Sequence, residues 1–320
     1  MSTEEKKDFI NKRLVSHYSY IESLGYEVIG IFLQGSQNYN LDIYEDDYVS
    51  DVDTKCLVLP TLNDLIEGKS MVSKKYDFEG EQIDVKDIRV MMEMWKKQNQ
   101  SYLEILFTDY KIINPKYEAL LKNIFNMKED IVEMNIPQLA RCISGMSKEK
   151  VVALEHEYPA TVEKIKKYGY DPKQLASIIR LTHLIENIFE KNMDFKNAVW
   201  YNNGKLRDYM LDIKKGKPSL EEARVLAELY DNKTSSIKNH IVEQYGKDSF
   251  NNDIYNSLKI KVYQLVEFGI LYLIQEQLGN AFKETSNEMR NFSEEENKIE
   301  EKIIKSLSVE TKENFFDYYD

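Results

Sequence analysis

The sequence predicts an α+β protein: a small mixed β-sheet domain over residues 1–115, then an all-helical domain over residues 116–320. Three observations carry this. Short, apolar, β-branched runs fall at Tyr26–Gln34, Asp51–Leu59 and Glu81–Ile88, all before Asn114-Pro115. After that dipeptide strand signals become rare, and apolar residues recur at helical spacing. Only 12 Gly and 6 Pro interrupt the chain, which favours helices over turn-rich β architectures.

The elements follow in order. Residues Thr3–Leu24 place Phe9, Ile10, Leu14, Tyr18, Ile21 and Leu24 on a helical face, and Gly25 supplies the stop. Tyr26–Gln34 (YEVIGIFLQ) is a buried strand that ends at Gly35-Ser36. Asn38–Ser50 is polar and turn-rich, a loop with one short helical turn. Asp51–Leu59 (DVDTKCLVL) is a second strand, stopped by Pro60, and Thr61–Leu65 a short helix. Glu81–Ile88 (EQIDVKDI) alternates as a third strand. Val90–Asn99 and Tyr102–Phe107 are helical. Helices are then expected at Tyr117–Met134, Ile136–Ala153, Ala160–Tyr168, Pro172–Lys191, Lys205–Lys214, Leu220–Tyr230 and Ile254–Phe282, with breaks near Gly169, Gly204 and Lys215–Pro218. The charged segment from Thr285 is a further helix with a mobile end. No internal repeat is visible.

Composition narrows the function classes. An apolar fraction of 42% provides a full core, and 22 Tyr suit a packed helical domain. The net charge of −12 excludes a protein that coats nucleic acid non-specifically, although a local basic groove is compatible with it. Cys56 and Cys142 have no metal-ligand spacing and four scattered His add none, so no structural zinc is expected and both thiols read as free in a reducing cytoplasm. The first residues, MSTEEKKDFINKRL, lack the apolar core of a secretion signal. Val262–Leu278 is the most apolar helical stretch, but five Gln and Glu residues interrupt it. A buried helix, rather than a membrane span, is expected there.

Chemistry concentrates where the strands begin and end. Residues i and i+2 of a strand share a face, so Asp51 and Asp53 project together while Val52 points to the core. Asp84, between Ile83 and Val85, projects opposite to its apolar neighbours. With the three strands adjacent, Asp51, Asp53 and Asp84 meet on one face. Three crowded carboxylates call for cations, and Mg²⁺ or Mn²⁺ suits an all-oxygen donor set completed by substrate phosphates. Two such ions about 3.5–4 Å apart can clamp an in-line phosphoryl displacement. Gly35 allows close backbone approach to a phosphate, and Ser36 adds a hydroxyl.

The ordered set FLQGS (Phe32–Ser36), SDVD (Ser50–Asp53) and QIDVKD (Gln82–Asp87) resembles the polymerase-β-like nucleotidyltransferase superfamily. The resemblance implies that Asp51, Asp53 and Asp84 bind two metal ions, that Gly35 and Ser36 hold the triphosphate of an NTP, and that Asp84 helps activate the attacking hydroxyl. FLQGSQNYNL, SDVDTKCLVLP, SYLEILFTDYKIINP (Ser101–Pro115), YGYDPK (Tyr168–Lys173) and Arg180-Leu181 look like the predicted RNA-repair-pathway nucleotidyltransferases of bacteria and phages. That closer resemblance spans roughly residues 26–230. It implies an RNA, tRNA-like acceptor end and assigns Lys173 and Arg180 to phosphate. The chain departs from that family in a longer acidic spacer, Tyr44-Glu45-Asp46-Asp47, and in Gln174 and Ser177 where histidines are common.

Other residues weigh against blander roles. Glu45, Asp46 and Asp47 read as a solvated loop, and Asp87, offset by three from Asp84, as a non-ligand on the opposite face. Lys173 and Arg180, seven apart, share a helix face and serve either phosphate or surface ion pairs. Gly169 and Asp171 read as a turn and an N-cap. Lys205, Arg207, Lys214, Lys215 and Lys217 form a basic cluster, a solvated face with a phosphate track as the sharper alternative. Glu104 in YLEILF helps position the sheet. His156, His183, Tyr168 and Tyr170 read as structural. Transfer to a small molecule or a protein side chain, and an inactive nucleotide-binding module, stand as the alternatives to RNA-end transfer.

Overall fold

A computed structural model describes residues 3–45, 48–159, 161–192, 194–247 and 249–313. Asp46 and Asp47 of the acidic spacer lie outside the described residues. Helix α1 (Thr3–Ser23) leads into β1 (Glu27–Leu33), a 3₁₀ turn (Ser36–Tyr39) and a small hairpin of β2 (Tyr44–Glu45) and β3 (Tyr48–Val49). Then come β4 (Thr54–Leu59), α2 (Leu62–Ile66), β5 (Ser73–Phe78), β6 (Glu81–Asp87), α3 (Ile88–Lys96), α4 (Gln100–Leu103), a 3₁₀ turn (Glu104–Leu106) and β7 (Lys111–Ile113). The sheet order is β5-β6-β4-β1-β7. Strands β4 and β6 run parallel and the other pairs antiparallel, so the sheet is mixed as expected.

The helices that follow are α5 (Glu118–Phe125), α6 (Lys128–Glu133), α7 (Ile136–Ala153), α8 (Val162–Tyr168), α9 (Pro172–Phe189), α10 (Phe195–Val199), α11 (Lys205–Lys214), α12 (Leu220–Tyr245) and α13 (Asn252–Glu313). The architecture is α+β. Two compact units divide the chain, Met1–Glu267 and Phe268–Asp320. The described part of the second, to Glu313, is the continuing helix. Leu271, Leu278 and Phe282 are exposed on it. The buried helix expected over Val262–Leu278 is therefore buried only in part, at Val262, Leu265 and Gly269. A lone helix offers its own unit no second layer against which to bury such residues. Among the described residues no helix is long and apolar enough to cross a membrane.

Two apolar clusters sandwich the sheet. Ile10, Leu14 and Ile21 of α1 pack on Val28, Ile31, Leu33, Val52, Cys56, Val58, Ile83 and Val85. The other face carries Ile29, Phe32, Leu57 and Leu59 into a core shared with Trp95, Tyr117, Ile143, Ile179 and Leu258. A register shift between Val28 and Gly30 explains why Ile29 and Ile31, two apart, face opposite ways: an extra residue flips the pleat. The face away from α1 bears Lys55 of β4 and Asp84 and Lys86 of β6, whereas Glu81 turns toward Arg13 and His17 of α1.

Several sequence expectations are corrected. Regular strand pairing begins at Thr54, so Asp51–Asp53 form the extended approach to β4. The Tyr117–Met134 helix is two, α5 and α6, while α12 runs well past Tyr230 and α13 past Phe282. Strand β5 (SKKYDF) is a lysine-bearing, largely exposed edge strand without an apolar run, which is how edges resist stray pairing. Strand β7 has three residues, too few for a period to show.

Close packing makes two glycines opposite in behaviour. A Cβ on Gly30 would meet the Ile112 carbonyl oxygen at 3.0 Å and the Phe32 ring at 3.2 Å, whereas Gly145 on α7 meets nothing within 4 Å. Gly30→Ala is expected to destabilise by about 1–3 kcal/mol. Gly145→Ala is expected to stabilise by roughly 0.5–1 kcal/mol. Urea unfolding of the two variants beside wild type reads both signs.

Candidate active site

Gly35 closes β1 in the left-handed region, at φ 80°, a conformation that a side chain strains. Its N–H points to Glu104 Oε1 at 3.4 Å, and the Tyr39 hydroxyl donates to Glu104 Oε2 in a very short hydrogen bond. Glu104 is buried and also accepts from Gln100 Nε2 at 3.2 Å. The expectation that Glu104 positions the sheet is thus given a concrete form: it anchors the Gly-Ser turn. Ser36 follows as the first residue of the 3₁₀ turn, and its carbonyl accepts from Leu41 N at 3.0 Å.

The Asp-x-Asp segment approaches the same turn. Gln34 N donates to the Asp53 carbonyl at 3.0 Å, and a Cβ on Gly35 would lie 3.8 Å from Asp53 Oδ2. Val52 is buried in the α1 cluster, which leaves Asp51 and Asp53 to the other side as the alternation requires. Asp51 is partly open to solvent, with Lys173 Nζ at 3.8 Å from its Oδ2. Asp53 Oδ1 accepts from Gln82 N at 3.1 Å. Burial pushes the Asp53 carboxyl above its ordinary value, and the charges of Asp51 and Glu81 add to that. The Gln82 N–H and Lys173 oppose it.

Asp84 differs from the expectation. It sits on β6 beside Lys55 of β4, on the expected sheet face, but it is buried and already neutralised. Lys86 Nζ lies 2.7 Å from its Oδ1, and the Tyr102 hydroxyl donates to its Oδ2 at 3.1 Å. Among the described residues no three Asp, Glu, His or Cys side chains form a group able to hold one metal ion. In this structure Asp51 and Asp53 stand together, while Asp84 is engaged by Lys86 and Tyr102. A strand pleat put Asp84 on the right face, and the lysine at i+2 then took its charge.

Lys55 belongs to the site as well. It is buried, its Nζ donates to Gln34 Oε1 in a very short bond, and it lies 4.6 Å from the Tyr102 ring centroid. Burial lowers its pKa against the pull of Glu104 and Asp84. Its signal was present in the sequence, because the alternation that pairs Asp51 with Asp53 continues to residue 55. Asp87 is confirmed off the site: it caps α3 through Arg89 N at 2.8 Å and pairs with the Arg89 side chain.

Lys173 and Arg180 diverge. Asp171 caps α9 by accepting from Lys173 N at 2.9 Å, and Lys173 then reaches Asp51. Arg180 stacks 4.3 Å from the Tyr39 ring centroid, behind the Gly-Ser turn, and its buried Nη1 has no hydrogen-bond partner. Gln174 and Ser177 bond to Asp171 and to the Lys173 carbonyl. His183 faces the Tyr201 hydroxyl at 2.9 Å and is pushed down to about 4 by burial, consistent with a structural neutral ring.

The loop expected over Asn38–Ser50 is fastened at several points, while Glu45, expected to be solvated, is exposed. Gln37, Leu41, Asp42, Ile43 and Ser50 are buried. Lys6 pairs with Asp42 at 2.5 Å, Arg207 Nε and Lys214 Nζ donate to the Asn40 and Leu41 carbonyls at 2.7 Å, and Lys215 pairs with Glu45 at 2.5 Å. The basic cluster of α11 thus largely secures the spacer.

Sequence reasoning missed the clasp behind the pair. Glu81 Oε1 accepts from Val52 N at 2.9 Å; its Oε2 takes Arg13 Nε at 2.6 Å and faces His17 Nε2 at 3.1 Å. The fully buried His17 ring also meets Thr54 Oγ1 at 3.0 Å through Nδ1. One carboxylate on β6 and one imidazole on α1 therefore grip both sides of Asp53. Burial works against the Glu81 charge, but His17, the Val52 N–H and Arg13 outweigh it and hold the carboxyl below its usual value.

Fold and site define an α+β chain with a clamped carboxylate pair against a left-handed glycine turn, flanked by a lysine. No protein-family model matches the chain, and no curated protein sequence matches it. Among solved structures, a nucleotidyltransferase-like protein from Exiguobacterium sibiricum 255-15 is similar at 14% identity, over 80% of this chain and 90% of that one, with a TM-score of 0.24.

Opposite pH signatures follow for the two carboxylates. The raised Asp53 carboxyl costs stability once pH rises through its folded value, so Asp53→Asn is expected to melt higher than wild type at pH 7. That gain disappears in acid, where Asp53 is protonated. The lowered Glu81 carboxyl contributes stability above its unfolded value and loses it as pH falls through the folded one. Glu81→Gln is therefore expected to lose about 1.5–3 kcal/mol at neutral pH, the worth of hydrogen bonds to a charged group. In acid the loss narrows. Denaturation curves across pH check both trends.

Proposed function

We propose that the chain is a metal-dependent nucleotidyltransferase. It moves a nucleoside monophosphate from an NTP to an acceptor hydroxyl: a bond forms between that oxygen and the α-phosphorus, the α–β bridge breaks, and pyrophosphate leaves. The observation that supports this reading is the clamped Asp51–Asp53 pair beside the Gly35 turn, with Lys173 at 3.8 Å.

The pair fits Mg²⁺ or Mn²⁺. Two neighbouring carboxylates, one of them pushed above its ordinary value, have Lys173 as a partly exposed cation beside them. Mg²⁺ commonly takes one or two protein carboxylates and completes its shell from substrate phosphates and water. Bound there, such an ion supplies charge neutralisation at the reacting phosphate. Asp51 and Asp53 hold it. Gly35 and Ser36 receive the phosphates at a turn whose positive φ favours glycine. Lys173 offers a cation to the same phosphates. Asp84 stays with Lys86 and Tyr102 and sets the charge beneath the pair. Catalysis on this account rests on positioning and electrostatics.

The acceptor in this reading is an RNA, tRNA-like end. The acidic balance of the whole chain, −12, favours a second reading, transfer to a small molecule or a protein side chain. Incubation with each α-labelled NTP, Mg²⁺ or Mn²⁺, and RNA, protein or metabolite pools separates them by where the label lands. Removing both carboxylates in Asp51→Asn/Asp53→Asn is expected to lower transfer by about 10³-fold or more, the scale of losing a main electrostatic element. Transfer at the wild-type rate by that variant, or none by wild type with any pool, would sink the proposal.

A further inference from the structure

Five lysines converge on one cleft of about 460 Å³, lined by Lys164, Lys167, Lys173, Lys214 and Lys215 from α8, α9 and α11 and their ends. Its opposite wall is the spacer, through Ile43 and Glu45. Three carboxylates line it, and two of them are committed. Asp171 caps α9 and lies 3.8 Å from Lys164, and Glu45 pairs with Lys215. Glu163 is the third. The cleft is thus a positive concavity in a chain of net charge −12. Burial pushes Lys214 down to about 8, and the neighbouring Lys173 charge adds to that, as expected where cations crowd. Tyr168 forms a fixed wall: its ring lies so close to Gly216 that a Cβ there would come within 2.6 Å.

The cleft opens beside the reaction site. Lys173 lines it and also reaches Asp51 at 3.8 Å. Its volume is that of a nucleotide-sized site. Lysines act as point-charge phosphate binders, and closely spaced ones gain most from an anion that neutralises several together. We propose that this cleft binds a phosphate group of the acceptor, one nucleotide away from the hydroxyl that reacts at Asp51 and Asp53. The acceptor is thereby a phosphate-bearing nucleotide, at the end of a strand or free. This deepens the nucleotidyltransferase reading and rests on it for the word acceptor; the binding itself is measurable without turnover.

The test uses the full chain without metal or NTP. A fluorescein-labelled single-stranded RNA of about ten nucleotides, within the usual span of such sites, is titrated by anisotropy, and AMP competes in a parallel series. Wild type, Lys164→Gln/Lys167→Glu and Asp51→Asn are compared, with circular dichroism reporting that each is folded. The lysine variant is expected to lose about tenfold or more in affinity, with a shallower salt dependence, because phosphate contacts are lost. Asp51→Asn is expected to bind at least as well as wild type. Loss on RNA assigns the phosphate to a strand end, and loss on AMP alone assigns it to a free nucleotide; either supports the cleft. Unchanged affinity for both probes in the folded lysine variant overturns it. Lysine-dependent binding without any nucleotidyl transfer leaves the cleft standing and removes the transferase reading. Transfer with an unchanged acceptor KM in the lysine variant does the reverse.

Discussion

The carboxylate of Glu81 is held from three directions, and much of the site depends on it. Val52 N–H, Arg13 and His17 all converge there. Without that acceptor the Asp51–Asp53 segment, which precedes regular strand pairing, would hold its course through few other bonds. Packing Val52 into the α1 cluster settles which way the segment faces, and the Glu81 clasp settles where it lies. Two like charges are held side by side as a result, at a cost visible in the raised Asp53 carboxyl. Such a cost is tolerated where a cation is to be bound.

A second constraint lies beneath the pair. Lys55, Asp84 and Lys86 line the sheet face away from α1, with Glu104 behind the glycine turn. Two cations and two carboxylates compensate one another there, which is how charges persist in a buried layer. Within this balance Asp84 is paired with Lys86 and Tyr102. It also links the glycine turn to the sheet, because Lys55 responds to both Glu104 and Asp84.

Legibility in the sequence followed the strength of local signals. Strands β1, β4 and β6 are apolar runs and stood out; β5 faces solvent with lysines, and β7 is three residues long. Helices α7 and α11 were readable to the residue from their period and caps, while α12 and α13 outran their apolar patterns. The side-by-side placing of Asp51 and Asp53 followed from the pleat alone. The role of His17 did not, because Thr54 and Glu81 lie far along the chain and a helix register says nothing of which strand it covers. The fastening of the spacer was hidden for the same reason: its residues are held by Lys6, Arg207 and Lys214, partners from distant helices.

The central claim is that Asp51 and Asp53 form a cation site completed by nucleotide phosphates. Electron paramagnetic resonance of Mn²⁺, titrated into the full chain with a non-hydrolysable NTP analogue, reads this directly. The account predicts that free Mn²⁺ signal is lost stoichiometrically with wild type, and that Asp51→Asn/Asp53→Asn leaves the signal as the analogue alone does. Equal Mn²⁺ uptake by both proteins, or none by wild type, would contradict it.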